Sequence, residues 1–133
     1  MTSEIRRVRP GELTEETLQT AGMTRAVAVV RDGLWSGIVT TAARIISGWH
    51  HHGDNDTVIY VLEGAVVLEF GPGGSRTVEA RAGDFLHVAA RAIHRESNPL
   101  DTASRLVITR AGAGAAVVNV DGPDASVEPG RSL

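Results

Sequence analysis

At 133 residues and 14.0 kDa, with 42% hydrophobic and 22% charged residues, the chain is long enough for one domain with one core and too short for two. A net charge of −3 and a pI near 5.9 leave no electrostatic footprint for nucleic acid. With no cysteine, disulfides, thiolate metal ligands and thiol nucleophiles are excluded; all thirteen basic residues are arginine, so no side-chain amine is available for Schiff-base chemistry.

No apolar run approaches the ~20 residues of a membrane span, and Met1-Thr2-Ser3-Glu4 lacks the charged-then-apolar pattern of a signal peptide. A cytoplasmic protein that engages neither membrane nor nucleic acid is expected. Residues 1–22 read as an N-terminal arm: Arg6, Arg7 and Arg9 lead into Pro10-Gly11, and Thr14 before Glu15 and Glu16 predicts a short capped helix closed by Gly22.

From residue 23 to 120 the grammar is that of strands. Arg25 to Val30 predicts one, stopped by Asp32-Gly33, and Leu34 to Ile46 one or two more. Val58 to Leu62 is apolar almost throughout and predicts a strand covered on both faces. Glu63-Gly64 turns into Val66 to Phe70. Gly71-Pro72-Gly73-Gly74 predicts a hairpin loop; a phosphate cradle would need a helix start behind it, and a strand, Ser75 to Glu79, follows. Phe85 to Val88, Leu106 to Thr109 and Val117 to Val120 complete the series, and residues 121–133 predict a flexible tail. About ten short strands with turns every eight to twelve residues make an all-β sandwich or barrel.

The chemistry concentrates in Gly48 to Thr57. On a strand His50 and His52 share a face and His51 points the other way. The turn at Gly53 brings Asp54 and Asp56 back toward them, a mixed nitrogen and oxygen donor set that suits a divalent first-row metal. Asp and Asn in such a turn also commonly bond their own backbone, so Asp56 has a structural reading beside the ligand one. His51 and His87 carry no motif and read as surface or hydrogen-bonded residues, with His87 also a candidate for pocket lining. Of the five aromatic residues, Trp35, Trp49, Tyr60 and Phe85 fall near the site; Trp49 should face away from His50, and Tyr60 is a candidate to support the site by hydrogen bonding. Arg44 shares the His50 face by parity and is a candidate to grip an acidic substrate.

Gly48 to Asn98 resembles the cupin family. Of the family's first motif (Gly, five residues, His-x-His, three or four residues, Glu, six residues, Gly), His50, His52 and Gly64 match; of its second (Gly, five residues, Pro-x-Gly, two residues, His, three residues, Asn), Gly83, His94 and Asn98 fall in register. Thr57 stands where the family has Glu, with Asp56 the substitute and Asp54 the alternative. Arg44 stands where the opening Gly would fall, and Ala89 and Arg91 replace the Pro and Gly before His94, which predicts a less rigid turn. The resemblance implies a single-domain jelly-roll β-barrel, or double-stranded β-helix, that brings His94 to His50 and His52. It implies one divalent transition metal (Fe, Mn, Ni, Zn or Cu) on His50, His52, Asp56 and His94, and a small-molecule ligand or substrate. The function expected first is a mononuclear metalloenzyme of dioxygenase type, an oxidoreductase; a metal-dependent isomerase or lyase, and a non-catalytic sensor or storage module, are the alternatives. Protection of edge strands favours a homodimer.

Overall fold

The computed structural model describes residues 3–17, 19–114 and 116–123, so most of the predicted tail lies outside the described residues. Its strands are β1 (Thr14–Glu15), β2 (Met23–Arg31), β3 (Leu34–Thr41), β4 (His50–His51), β5 (Asp56–Glu63), β6 (Ala65–Phe70), β7 (Arg76–Arg81), β8 (Phe85–Val88), β9 (His94–Ser97), β10 (Ser104–Ala111) and β11 (Val118–Asn119). They form two antiparallel sheets, β1-β2-β3-β10-β5-β8 and β11-β4-β9-β6-β7, the two walls of a jelly-roll barrel.

Strict alternation drives the closure. Thr57, Ile59 and Val61 of β5 and Ser104, Leu106, Ile108 and Arg110 of β10 are buried while their neighbours face outward. Ile59, Val61, Leu106 and Ile108 meet Met23 and Val39 from one wall and Val66, Leu68 and Ala80 from the other. Each such side chain taken out of water contributes about 1.5–3 kcal/mol, so the barrel stands on its apolar layer.

Two expectations are corrected. The stretch after Thr14 contains no helix at its start: a 3-10 turn at Pro10–Glu12 leads into β1, whose Thr14 and Glu15 pair with Val27 and Ala26 on the open edge of β2. The pull of an unpaired sheet edge outweighs a weak capping signal. Strand β5 is covered on one face only, leaving Val58 42% and Leu62 39% exposed. The glycine-rich segment is a 3-10 turn, Pro72–Gly74, joining β6 to β7.

Two motif residues act on the backbone. Gly64 adopts φ +82°, and a Cβ there would overlap Ser104 Oγ, which accepts a hydrogen bond from the Ala65 amide at 3.1 Å. Asn98, 2% exposed, donates through Nδ2 to the Thr41, Ala42 and Thr102 carbonyls at 3.1, 3.2 and 2.8 Å, tying the segment after β9 to the end of β3.

Candidate metal centre

Strands β4 and β9 are neighbours, with His50 directly opposite His94, and His52 follows two residues after His50. The three side chains point between the sheets, 8%, 6% and 1% exposed for His50, His52 and His94, with ring centroids 4.4–5.1 Å apart. Each ring is held by a carbonyl at its Nδ1: Gly48 O for His50 at 2.9 Å, Ala116 O for His52 at 2.8 Å and Ala92 O for His94 at 2.8 Å. A carbonyl only accepts, so Nδ1 carries the proton in every case and Nε2 presents its lone pair.

One ring nitrogen from each histidine lies within 4.8 Å of the other two, and His94 Nε2 is buried with no partner among the described residues. Three imidazoles anchored at Nδ1, with ring nitrogens that converge, are what a divalent first-row ion requires, and the backbone carbonyls supply the outer contacts that fix the ring orientation. The group could hold a metal ion. Burial pushes the His52 pKa down to about 3, with Arg110 adding to the effect, and burial, followed by the neighbouring His50, pushes His94 down to about 4. Both rings therefore stay neutral and able to ligate well into acid. His51 faces the other way and accepts a hydrogen bond from the Gly53 amide at 2.9 Å.

The structure does not bring Asp56 to this group. Asp56 is the outward residue at the start of β5, and its Oδ1 meets His87 Nε2 at 2.9 Å on the surface. Thr57 is the inward one, 1% exposed, with Oγ1 lacking a partner among the described residues. A one-residue slip on a strand reverses the face, so a carboxylate at 56 cannot replace one at 57. Asp54 is also exposed, in an ion pair with Arg91. Arg44 lies in a turn at φ +62° and pairs with Asp101 at 2.8 Å, away from the histidines. Tyr60 packs against Phe85 at 4.7 Å on the outer face, and Trp49 lies under the Arg95 guanidinium at 4.7 Å. Accordingly, Asp56→Asn should leave metal content at the wild-type level and Thr57→Glu should raise metal affinity, as read by titration with a metal-sensitive dye; a loss with Asp56→Asn would return that residue to the site.

Arg91 has a role that its mismatch with the motif hides. It adopts φ +63°, the left-handed conformation for which the motif's glycine is suited, donates its amide to Gly53 O at 2.9 Å and pairs with Asp54. The turn before His94 is thereby clamped to the turn after His52. Thermal unfolding should show Arg91→Gly within about 1 kcal/mol of wild type and Arg91→Val costing about 2 kcal/mol or more, because a β-branched side chain is least compatible with that backbone.

Two residues unmarked by any motif share the interior. Glu96, 8% exposed, is two residues beyond His94 on the inward face of β9; Arg110, 6% exposed, ends the inward row of β10. Both line a cavity of about 60 Å³ with His50, His52 and Thr57. Burial pushes the Glu96 carboxyl above the usual carboxylate range, against the pull of His50 and Arg110, and lowers the Arg110 guanidinium. The signal available in the sequence was parity alone: Glu96 stands two from His94, and Arg110 two from Ile108.

A family model described as cupin domain matches residues 37–110. No curated protein matches the chain. Among solved structures, the polyketide cyclase RemF from Streptomyces resistomycificus superposes with a TM-score of 0.74 at 19% identity, over 89% of this chain and 87% of that one. KdgF from Halomonas sp. gives 0.68 at 18%, over 81% and 94%, and an oxalate decarboxylase OxdC of Bacillus subtilis gives 0.67 at 21%, over 79% and 30%. A cupin domain of Schizosaccharomyces pombe Cnp3 gives 0.63 at 17%, over 74% and 69%, so these likenesses establish the barrel while its uses differ. With the motif histidines gathered inside a jelly roll and more than half of its residues matching the family model, the chain belongs to the cupin family.

Proposed function

We propose that His50, His52 and His94 hold one divalent transition metal and that the barrel is a mononuclear metalloenzyme moving a proton on a small organic molecule, as an isomerase, lyase or cyclase does. The observation that carries this reading is Glu96, a buried carboxyl in the same cavity as His50 and His52 but outside the group of ligand nitrogens. The bound ion would act as a Lewis acid toward a carbonyl or carboxylate oxygen. Glu96 takes the proton from, and returns it to, a carbon or oxygen atom of the ligand, a role suited to a carboxyl held above its usual range. Met23, Val39, Ile59 and Ile108 form the apolar part of the lining, beside the polar His50, His52, Thr57, Glu96 and Arg110. Thr57 Oγ1, buried and without a partner among the described residues, would orient the ligand.

A dioxygenase is the second reading, favoured by a donor set of three imidazoles without an acidic fourth ligand, which leaves positions open for both an organic ligand and dioxygen. Metal analysis of untagged protein, followed by deuterium exchange from solvent into small oxo and hydroxy compounds and by oxygen uptake, tests both. One metal per chain with exchange that disappears in Glu96→Gln supports proton transfer; oxygen uptake that survives Glu96→Gln supports the dioxygenase. Metal without turnover points to a sensor or storage module, and absence of metal after reconstitution overturns the metal reading. The partner expected beyond the small ligand is a second copy of the chain: Val58, Leu62 and Phe85, the last 69% exposed, lie on the outer face of β5 and the edge strand β8. Sedimentation equilibrium decides that point.

A further inference from the structure

Arg110 has no role in holding the fold that matches the cost of burying it. Its neighbours across the sheet are Thr57 on β5 and Trp35 on β3, and its guanidinium carbon sits 4.9 Å from the Trp35 ring centre. Its Nε is fully buried without a hydrogen-bond partner, and no ion pair to it exists among the described residues. The other buried-side cation, Arg25, is matched by Glu16 at 3.0 Å. Glu96 faces the same cavity and its charge favours the Arg110 cation, but no hydrogen bond or ion pair joins the two among the described residues. A guanidinium held on an aromatic ring and left without an acceptor is a fork waiting for a planar anion.

The metal reading sharpens the argument. Three neutral imidazoles do not reduce the charge of a divalent ion, and Thr57 supplies no carboxylate where the family motif has one. A dication and a nearby guanidinium would then share a low-dielectric interior with Glu96 as the one carboxyl lining the cavity among the described residues; even ionised, it offsets only one of three positive charges, an arrangement that favours the entry of a further anion. The space limits that anion: the cavity is about 60 Å³, and Arg110 forms the wall between it and an outer cleft of about 220 Å³ lined by Trp35, Asn55 and Gly112.

We propose that Arg110 anchors a carboxylate and that the ligand of this site is therefore a small organic acid of two or three carbons. The substrate class rests on the metal-enzyme reading, while the anchoring role of Arg110 does not. Arg110 acts as a binding residue, its fork taking both carboxylate oxygens while the remainder of the acid faces His50 and His52.

The test compares glycolate with its neutral isostere glycolamide, by calorimetry and by the tryptophan fluorescence of a Trp49→Phe background in which Trp35 remains, on protein loaded with one equivalent of zinc and on metal-free protein. Because charge-assisted pairs to a guanidinium are the stronger kind of hydrogen bond, glycolate should bind about 10- to 100-fold more tightly than glycolamide. Arg110→Gln should erase that preference, and Arg110→Lys should restore part of it. Equal binding of acid and amide by wild type overturns the proposal, as does an unchanged preference in Arg110→Gln. If Arg110→Gln does not fold, the wild-type comparison decides alone. Inorganic phosphate binding in preference to glycolate overturns the carboxylate assignment. Failure to take up zinc with the Arg110-dependent preference intact sinks the metal reading and leaves the anchor standing; zinc uptake without the preference does the reverse.

Discussion

His94→Ala should reduce metal content from one ion per chain to none detectable, with the barrel still folded. His94 is the most deeply buried of the three histidines, 1% exposed, and its Nε2 has no partner among the described residues. Loss of an outer partner to a ligating histidine already costs about 10- to 100-fold in metal affinity, so loss of a donor itself should cost more. The metal-free fold should tolerate the change, because the hydrogen bond lost, from Nδ1 to the Ala92 carbonyl, is a local one, the Nε2 removed with it has no partner among the described residues, and the apolar layer of Val61, Leu106 and Ile108 is untouched. Circular dichroism of the metal-free variant should match wild type, while the rise in Tm that metal gives wild type should vanish. His50→Ala should behave alike. Full metal retention in both variants would falsify the ligand assignment.

That experiment also separates what period-two reasoning could reach from what it could not. The strands, the inward pair His50 and His52 and the distant His94 follow from alternation and spacing, which survive without any knowledge of contacts. The fourth ligand does not, because choosing Asp56 treated a turn residue as free to swing inward. Asp56 already belongs to β5, paired opposite Ala111, so its direction is fixed by the ladder. The helix after Thr14 failed for a related reason: capping residues are local, whereas the edge of β2 that captures Thr14 and Glu15 is formed by residues further along the chain. Arg110 was marked only by its parity with Ile108, a weak signal because an arginine at a strand end is ordinarily solvated. Only the closure of β10 between β3 and β5 turns it inward.

The acid response of the metal-free protein is the second large effect. In the folded chain His52 and His94 are held down to about 3 and about 4, whereas in the unfolded chain both return to about 6.5. Between those limits the unfolded state binds more protons, so stability is full above about pH 6.5 and falls as the pH drops toward 4. Each additional proton carried by the unfolded state steepens the loss by about 1 kcal/mol per pH unit. Glu96 opposes this trend: its folded carboxyl is held above 4.5, so its contribution is present at low pH and is lost as pH rises through the folded value. Two histidines against one glutamate leave a net loss in acid. Thermal melts of metal-free protein from pH 7 to pH 5, above the range where most exposed carboxylates titrate, should therefore show a falling Tm. The slope should flatten in His52→Gln/His94→Gln and steepen in Glu96→Gln, since the latter removes the opposing group. A Tm independent of pH across that window in all three proteins would mean that the imidazoles are not held neutral by burial, and the account of a preformed, proton-free ligand set would fall with it.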